Sequence, residues 1–164
     1  MINATDITNT INDLDLLYNS NPSQATYFSK LALLELCGWL ELTMDSIVLD
    51  YGKNKLTVQS NKDHIEKSVV GMTYGFHYDQ HFRPMLMKLV GLIKLEQIES
   101  GIIATGELSI LESQLGSLHQ TRKRAAHTHI NGATATYEAP SKIRQYLTTL
   151  HPILQKFDTA LQAI

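Results

Sequence analysis

The 164-residue chain is 43% apolar with a formal net charge of −2, and domains of about 100–150 residues already bury most of their unfolded apolar surface, so one domain with a real core is expected over residues 1–164. A pI near 6.4 excludes a globally basic nucleic-acid coat, so any polyanion would have to meet a local patch. A single cysteine, Cys37, rules out an internal disulfide, no basic-then-apolar signal segment opens the chain, and Glu35, Glu41, Asp45, Lys88 and Lys94 interrupt every apolar run before the ~20 residues a membrane helix needs, so a cytoplasmic protein with no membrane partner is expected.

In chain order, Thr5 or Asp6 is expected to cap a first short helix whose Ile7, Ile11, Leu14 and Tyr18 share a face, closed by the turn residues Asn19 to Pro22. From about Ser23 to Asp50 the apolar residues (Leu33, Leu36, Trp39, Leu40, Met44, Ile47 and others) cover most sides of a second helix, which places it in the middle of a bundle. The alternation from Lys55 to Gln59 is too short to pair as a strand and reads as loop. Ser60 is expected to cap a third helix carrying Ile65, Val69 and Met72, weakened by Gly71 and Gly75. A fourth starts near Pro84 and stops at Gly101, a fifth runs from about 106 to 129, and a sixth carries Ile143, Leu147, Leu150, Leu154, Phe157 and Leu161. With no repeat and no low-complexity segment, the sum is an all-α bundle of five to six helices.

The fifth helix carries the densest chemistry. Leu108, Leu111, Leu115 and Leu118 recur at three- and four-residue steps, and the same register runs on to Arg122, Ala126 and His129, so an apolar face becomes cationic. Arg122, Lys123, Arg124, His127 and His129 suit a phosphodiester: imidazole, with an ordinary pKa of about 6.5, can move protons at a ribose 2′-hydroxyl and a leaving oxygen, and guanidinium steadies transition-state charge without a metal. The bland alternative is a set of cations favouring the dipole of a last helical turn. On a straight helix, at about 100° per residue, Arg122 and His127 lie about 140° apart and would not share one face without a bend or a second copy. Glu41 and Asp45, four residues apart, are candidate anchors for Arg122 or Arg124.

The run from Arg122 to His127 resembles the R-x4-6-H signature of the HEPN superfamily, small all-α domains of which many are metal-independent ribonucleases in toxin–antitoxin, phage-defence and RNA-processing systems. Arg124 to His129 repeats the spacing, and the long apolar helix before it (Leu31 to Glu41) and a final helix after it fit the same pattern. The resemblance implies a HEPN-like bundle acting on RNA as a homodimer with a composite cleft, restrained by an antitoxin or other regulatory protein and using no cofactor. It assigns catalysis to Arg122 and His127, with Lys123, Arg124 and His129 supporting or binding RNA. Two departures stand out. Lys123 occupies the position where the family often carries a small polar residue, and His129 stands where a subset carries a modifiable tyrosine. A non-catalytic HEPN-like module that binds RNA, nucleotide or a partner protein through residues 122–129 is the alternative, and Lys123 favours it.

A second pattern, His77-Tyr-Asp-Gln-His81, has the H-x3-H spacing that on a helix would aim two imidazoles at one zinc ion, but it lacks the glutamate of H-E-x-x-H, and Pro84 implies that a helix starts only after it. No metal site is assigned on this basis. His64, His119 and His151 read as surface or packing residues, and Gly91 and Gly116 as points of close helix packing.

Overall fold

The computed structural model describes residues 2–128 and 136–164. His129 lies outside the described residues. The described residues form an all-α bundle of six helices: α1 (Thr5–Ser20), α2 (Ala25–Lys55), α3 (Gln59–His64), α4 (Arg83–Ile103), α5 (Glu107–His127) and α6 (Pro140–Gln162). Among the described residues a 3₁₀ turn, Pro22–Gln24, joins α1 to α2, and two π-helical stretches adjoin α3 and α4. Ile65–Val70 prolongs α3, and Tyr78–Phe82 runs directly into α4.

The 31-residue α2 is the axis of the molecule, in contact with α1, α4, α5 and α6. It buries Phe28, Ala32, Leu36, Leu40, Met44 and Val48 along one broad stripe, each side chain larger than alanine contributing about 1.5–3 kcal/mol by leaving water. It is less enveloped than its composition implies: Leu42 is 68% exposed, and Glu35 also faces out. α6 returns its own stripe, Ile143, Leu147, Leu150, Leu154, Phe157 and Leu161, to α1 and α2. On α5 the leucines at 108, 111, 115 and 118 are all buried. That stripe faces the chain's own core and is therefore not a surface for a second copy.

Several boundaries differ from the sequence reading, each for a local reason. α1 is preceded by Ala4 with no side-chain cap from Thr5 or Asp6; the Asn3 side-chain oxygen accepts from the Thr5 N–H instead, at 2.8 Å. α3 begins one residue before Ser60, after Val58. α4 passes through Gly101 to Ile103. Within α4, Gly91 adopts φ 77° and ψ 163°, and a Cβ there would touch nothing within 4 Å. Its role is a break in the helix, open to a residue without a side chain, and not the close packing expected.

A buried carboxylate ties the segment before α4 to its second half. Glu99, 7% exposed, accepts from the Tyr78 hydroxyl at 2.6 Å and from Arg83 Nε at 2.7 Å, with Arg83 Nη2 at 3.2 Å from its other oxygen. Burial and the Glu99 hydrogen bond raise the Tyr78 phenol above its ordinary range, so it donates at all accessible pH. Glu99→Ala strands a buried hydroxyl, which costs about 2 kcal/mol, or a melting temperature about 4–8 °C lower for a chain of this size. Thermal unfolding followed by circular dichroism checks this; an unchanged midpoint would show that the bundle does not need the contact.

Candidate nucleic-acid interface

The packing of α5 fixes where its basic end goes. With the leucine stripe in the core, the next position in register is Arg122, whose Nη2 lies 3.1 Å from Glu41 Oε2 on α2, and whose guanidinium covers the Phe76 ring at 5.8 Å. Arg122 is 37% exposed and Glu41 22%. A pair this open to water is worth about 0–1 kcal/mol, so it orients the guanidinium while leaving it able to exchange the carboxylate for a phosphate, which it would grip with two parallel donors. The end of the helix is held too, because Lys30 of α2 donates to the Thr128 carbonyl at 2.7 Å.

A groove of about 370 Å³ opens along this end, lined by His119, Arg122, Lys123, Ala126 and His127. At about 100° per residue, Ala126, His119, Lys123 and His127 lie about 40°, 60°, 100° and 140° around the helix from Arg122. The lining therefore spans about 140° of the helix surface. Arg122 and His127 both border the groove but stay about 140° apart around α5, so the separation expected from the sequence stands and the two side chains reach it from opposite edges. Arg124 is exposed and lies about 160° from Arg122 around the helix, outside the groove lining. Of the two anchor candidates, Glu41 meets Arg122.

Asp45, one turn along α2, has a buried Oδ1 without a hydrogen-bond partner. Burial, then the nearby Glu41 charge, push its carboxyl up to about 6 from 3.8. Cys37, buried on the same helix, has its thiol pushed up to about 12, chiefly by burial, with Arg122 opposing and Glu41 adding to the shift. A protonated thiol of that kind is a packing group, not a nucleophile.

Beside the groove three imidazoles meet. The His77 and His81 rings each lie 5.9 Å from that of His119, centroid to centroid, and Phe76 packs edge-on against His119 at 5.8 Å. His77 and His81 were expected in a loop before α4; instead Tyr78–Phe82 is a π-helical turn. The His77 N–H donates to His81 Nδ1 at 3.1 Å, so His81 Nδ1 presents its lone pair and the ring hydrogen sits on Nε2. That tautomer uses up the arrangement in which Nε2 would bind a cation. No three His, Cys, Asp or Glu side chains among the described residues are disposed to hold a metal ion. Both His81 and His119 are held below the ordinary imidazole pKa, first by burial and then by neighbouring histidines, with Arg122 and Lys123 adding to the effect at His119. His119, expected to be a surface or packing residue, is thus part of the groove. The signal for it was present in the sequence, since it stands three residues before Arg122 on the same helix.

The turn depends on Gly75. Its φ is +130°, and a Cβ built there would lie 2.9 Å from His81 Cε1, closer than carbon atoms approach. Compared with protein-family models, with curated proteins and with solved structures, the chain matches none.

Two outcomes follow from this geometry. Gly75→Ala is expected to displace the His81 ring and to lower the melting temperature by several degrees, the strained φ costing about 1 kcal/mol or more; an unshifted His81 side-chain NMR signal would contradict it. Asp45→Asn has an effect whose sign depends on pH. A folded pKa of about 6 against 3.8 unfolded means that Asp45 favours the folded state below 3.8 and that this contribution is lost as pH rises through 6. The variant should therefore melt higher than wild type at pH 8 and close to it at pH 4, and the reverse order would show that Asp45 is stabilised as a carboxylate.

Proposed function

We propose that the protein is a metal-independent endoribonuclease of the HEPN type, a toxin or phage-defence effector. The observation that supports this best is the single groove in which Arg122, Lys123 and His127 stand together at the end of α5. Arg122 binds the scissile phosphodiester and offsets the charge that grows on its oxygens, and His127 transfers a proton at the 2′-hydroxyl or the leaving 5′-oxygen, giving a 2′,3′-cyclic phosphate end. The Glu41 contact holds Arg122 in place until substrate replaces it. The resemblance further implies a two-fold homodimer in which a second copy adds its own Arg122 and His127 to the cleft, and an antitoxin or other regulatory protein as restraint. Since the α5 leucines are buried, the dimer face must lie elsewhere.

The exposed Lys123 in the groove supports a second reading, a non-catalytic module that binds RNA, nucleotide or a partner protein through the same patch. One assay separates the two. Wild type, Arg122→Ala and His127→Ala are incubated with RNA in EDTA, with product ends analysed and folding checked by circular dichroism. Wild type is expected to cut and leave cyclic phosphate ends, and each variant to lose at least about 100-fold in rate, the usual contribution of a positioned acid–base group. Equal cutting by both variants would overturn the assignment, whereas RNA retained but never cut by wild type would favour the binding module.

A further inference from the structure

Of the three histidines that meet beside the groove, His119 is the one that also lines it. Its ring is half-buried, and its Nδ1, like that of His77, is buried with no hydrogen-bond partner among the described residues. The ring lines the groove with Arg122, Lys123 and His127. Around the axis it lies about 60° from Arg122 and about 80° from His127, and along the axis it precedes them by about 4.5 Å and about 12 Å, so one phosphodiester with its flanking riboses would have to span the groove between the two imidazoles. Arg122 thus has two imidazoles to one side of it, and the nearer in angle is the one that the R-x4-6-H spacing leaves out.

We infer that His119 is a second catalytic residue of this groove, the base that takes the 2′-hydroxyl proton while His127 supplies a proton to the leaving oxygen. The inference rests on the ribonuclease reading. In the step, the 2′-oxygen forms a bond to phosphorus as its proton passes to His119 Nε2; the bond from phosphorus to the 5′-oxygen breaks, and that oxygen receives the proton carried by His127. The products are a 2′,3′-cyclic phosphate and a 5′-hydroxyl, and exchange with water returns both rings to their starting states. No oxidant, reductant or metal enters.

The surroundings of His119 suit a base. The groups around it are His77 and His81 on the π-helical turn, Arg122 and Lys123 on α5, and Glu41 on α2. Burial, then His77, Arg122 and Lys123, lower its pKa from the ordinary 6.5, with Glu41 opposing. It is therefore neutral at pH 7 and able to accept a proton. Burial, then His119 and His77, hold the neighbouring His81 below the ordinary imidazole pKa as well, so it adds no charge beside His119 at pH 7.

The test compares wild type, His119→Gln and His127→Gln on two substrates in EDTA: an oligoribonucleotide, and a uridine 3′-(4-nitrophenyl phosphate), whose leaving group departs without a proton. His127→Gln should lose cleavage of the oligoribonucleotide and recover most of it on the aryl ester. His119→Gln should be slower by about 100-fold on both. In wild type the acid limb of the pH–rate profile should fall below pH 6.5, and it should vanish in His119→Gln. Wild-type rates in the His119 variant, or its selective rescue by the aryl ester, would overturn the assignment while leaving the ribonuclease intact. If His119→Gln does not fold, as read by circular dichroism, the wild-type profile decides, and an acid limb at or above 6.5 overturns the inference. A wild type that cuts neither substrate overturns the ribonuclease reading and this inference with it.

Discussion

The docking of α5 against α2 is the constraint on which the rest of the groove depends. One helix face must satisfy two incompatible surroundings, a dry core from Leu108 to Leu118 and a wet cationic end from Arg122 onward. The transition is made at Arg122, whose stem leaves the core beside Phe76 and whose head meets Glu41. Once the leucines are seated, the azimuth of every later side chain on α5 is set. His119, Lys123 and His127 then face the groove because the register leaves them no other direction.

Much of this was legible in the sequence because it follows from periodicity. The leucine steps predicted the buried face of α5, and the dense apolar run predicted the central α2. What periodicity does not carry is the relation between elements distant in the chain. Nothing in the spacing of His77 and His81 announces that their turn folds against α5 beside His119. That contact is set by the Tyr78–Glu99–Arg83 link and by the absence of a side chain at Gly75, neither of which has a sequence signature of its own.

Pro84 misled for a specific reason. Proline lacks an N–H, so a helix is expected to begin there and the residues before it to be loop. In the fold the Arg83 N–H reaches back to the Tyr78 carbonyl, five residues away, so the turn closes its ladder with the last donor available before the proline. Gly91 misled in the opposite sense: a lone glycine in a helical pattern reads as a packing contact, whereas its positive φ here breaks α4 with no neighbour near.

The π-helical turn from Tyr78 to Phe82 also says something about how such a sequence tolerates change. A π turn holds one residue more than an α turn while the flanking chain keeps its place, so loss of a single residue within it restores ordinary helical winding without turning the segment upstream. His77 would stay on its side of α5. The same loss inside α5, where the winding is regular, would rotate every later side chain by about 100° and carry Arg122 and His127 out of the groove, so the two helical segments differ in how they tolerate insertion and deletion.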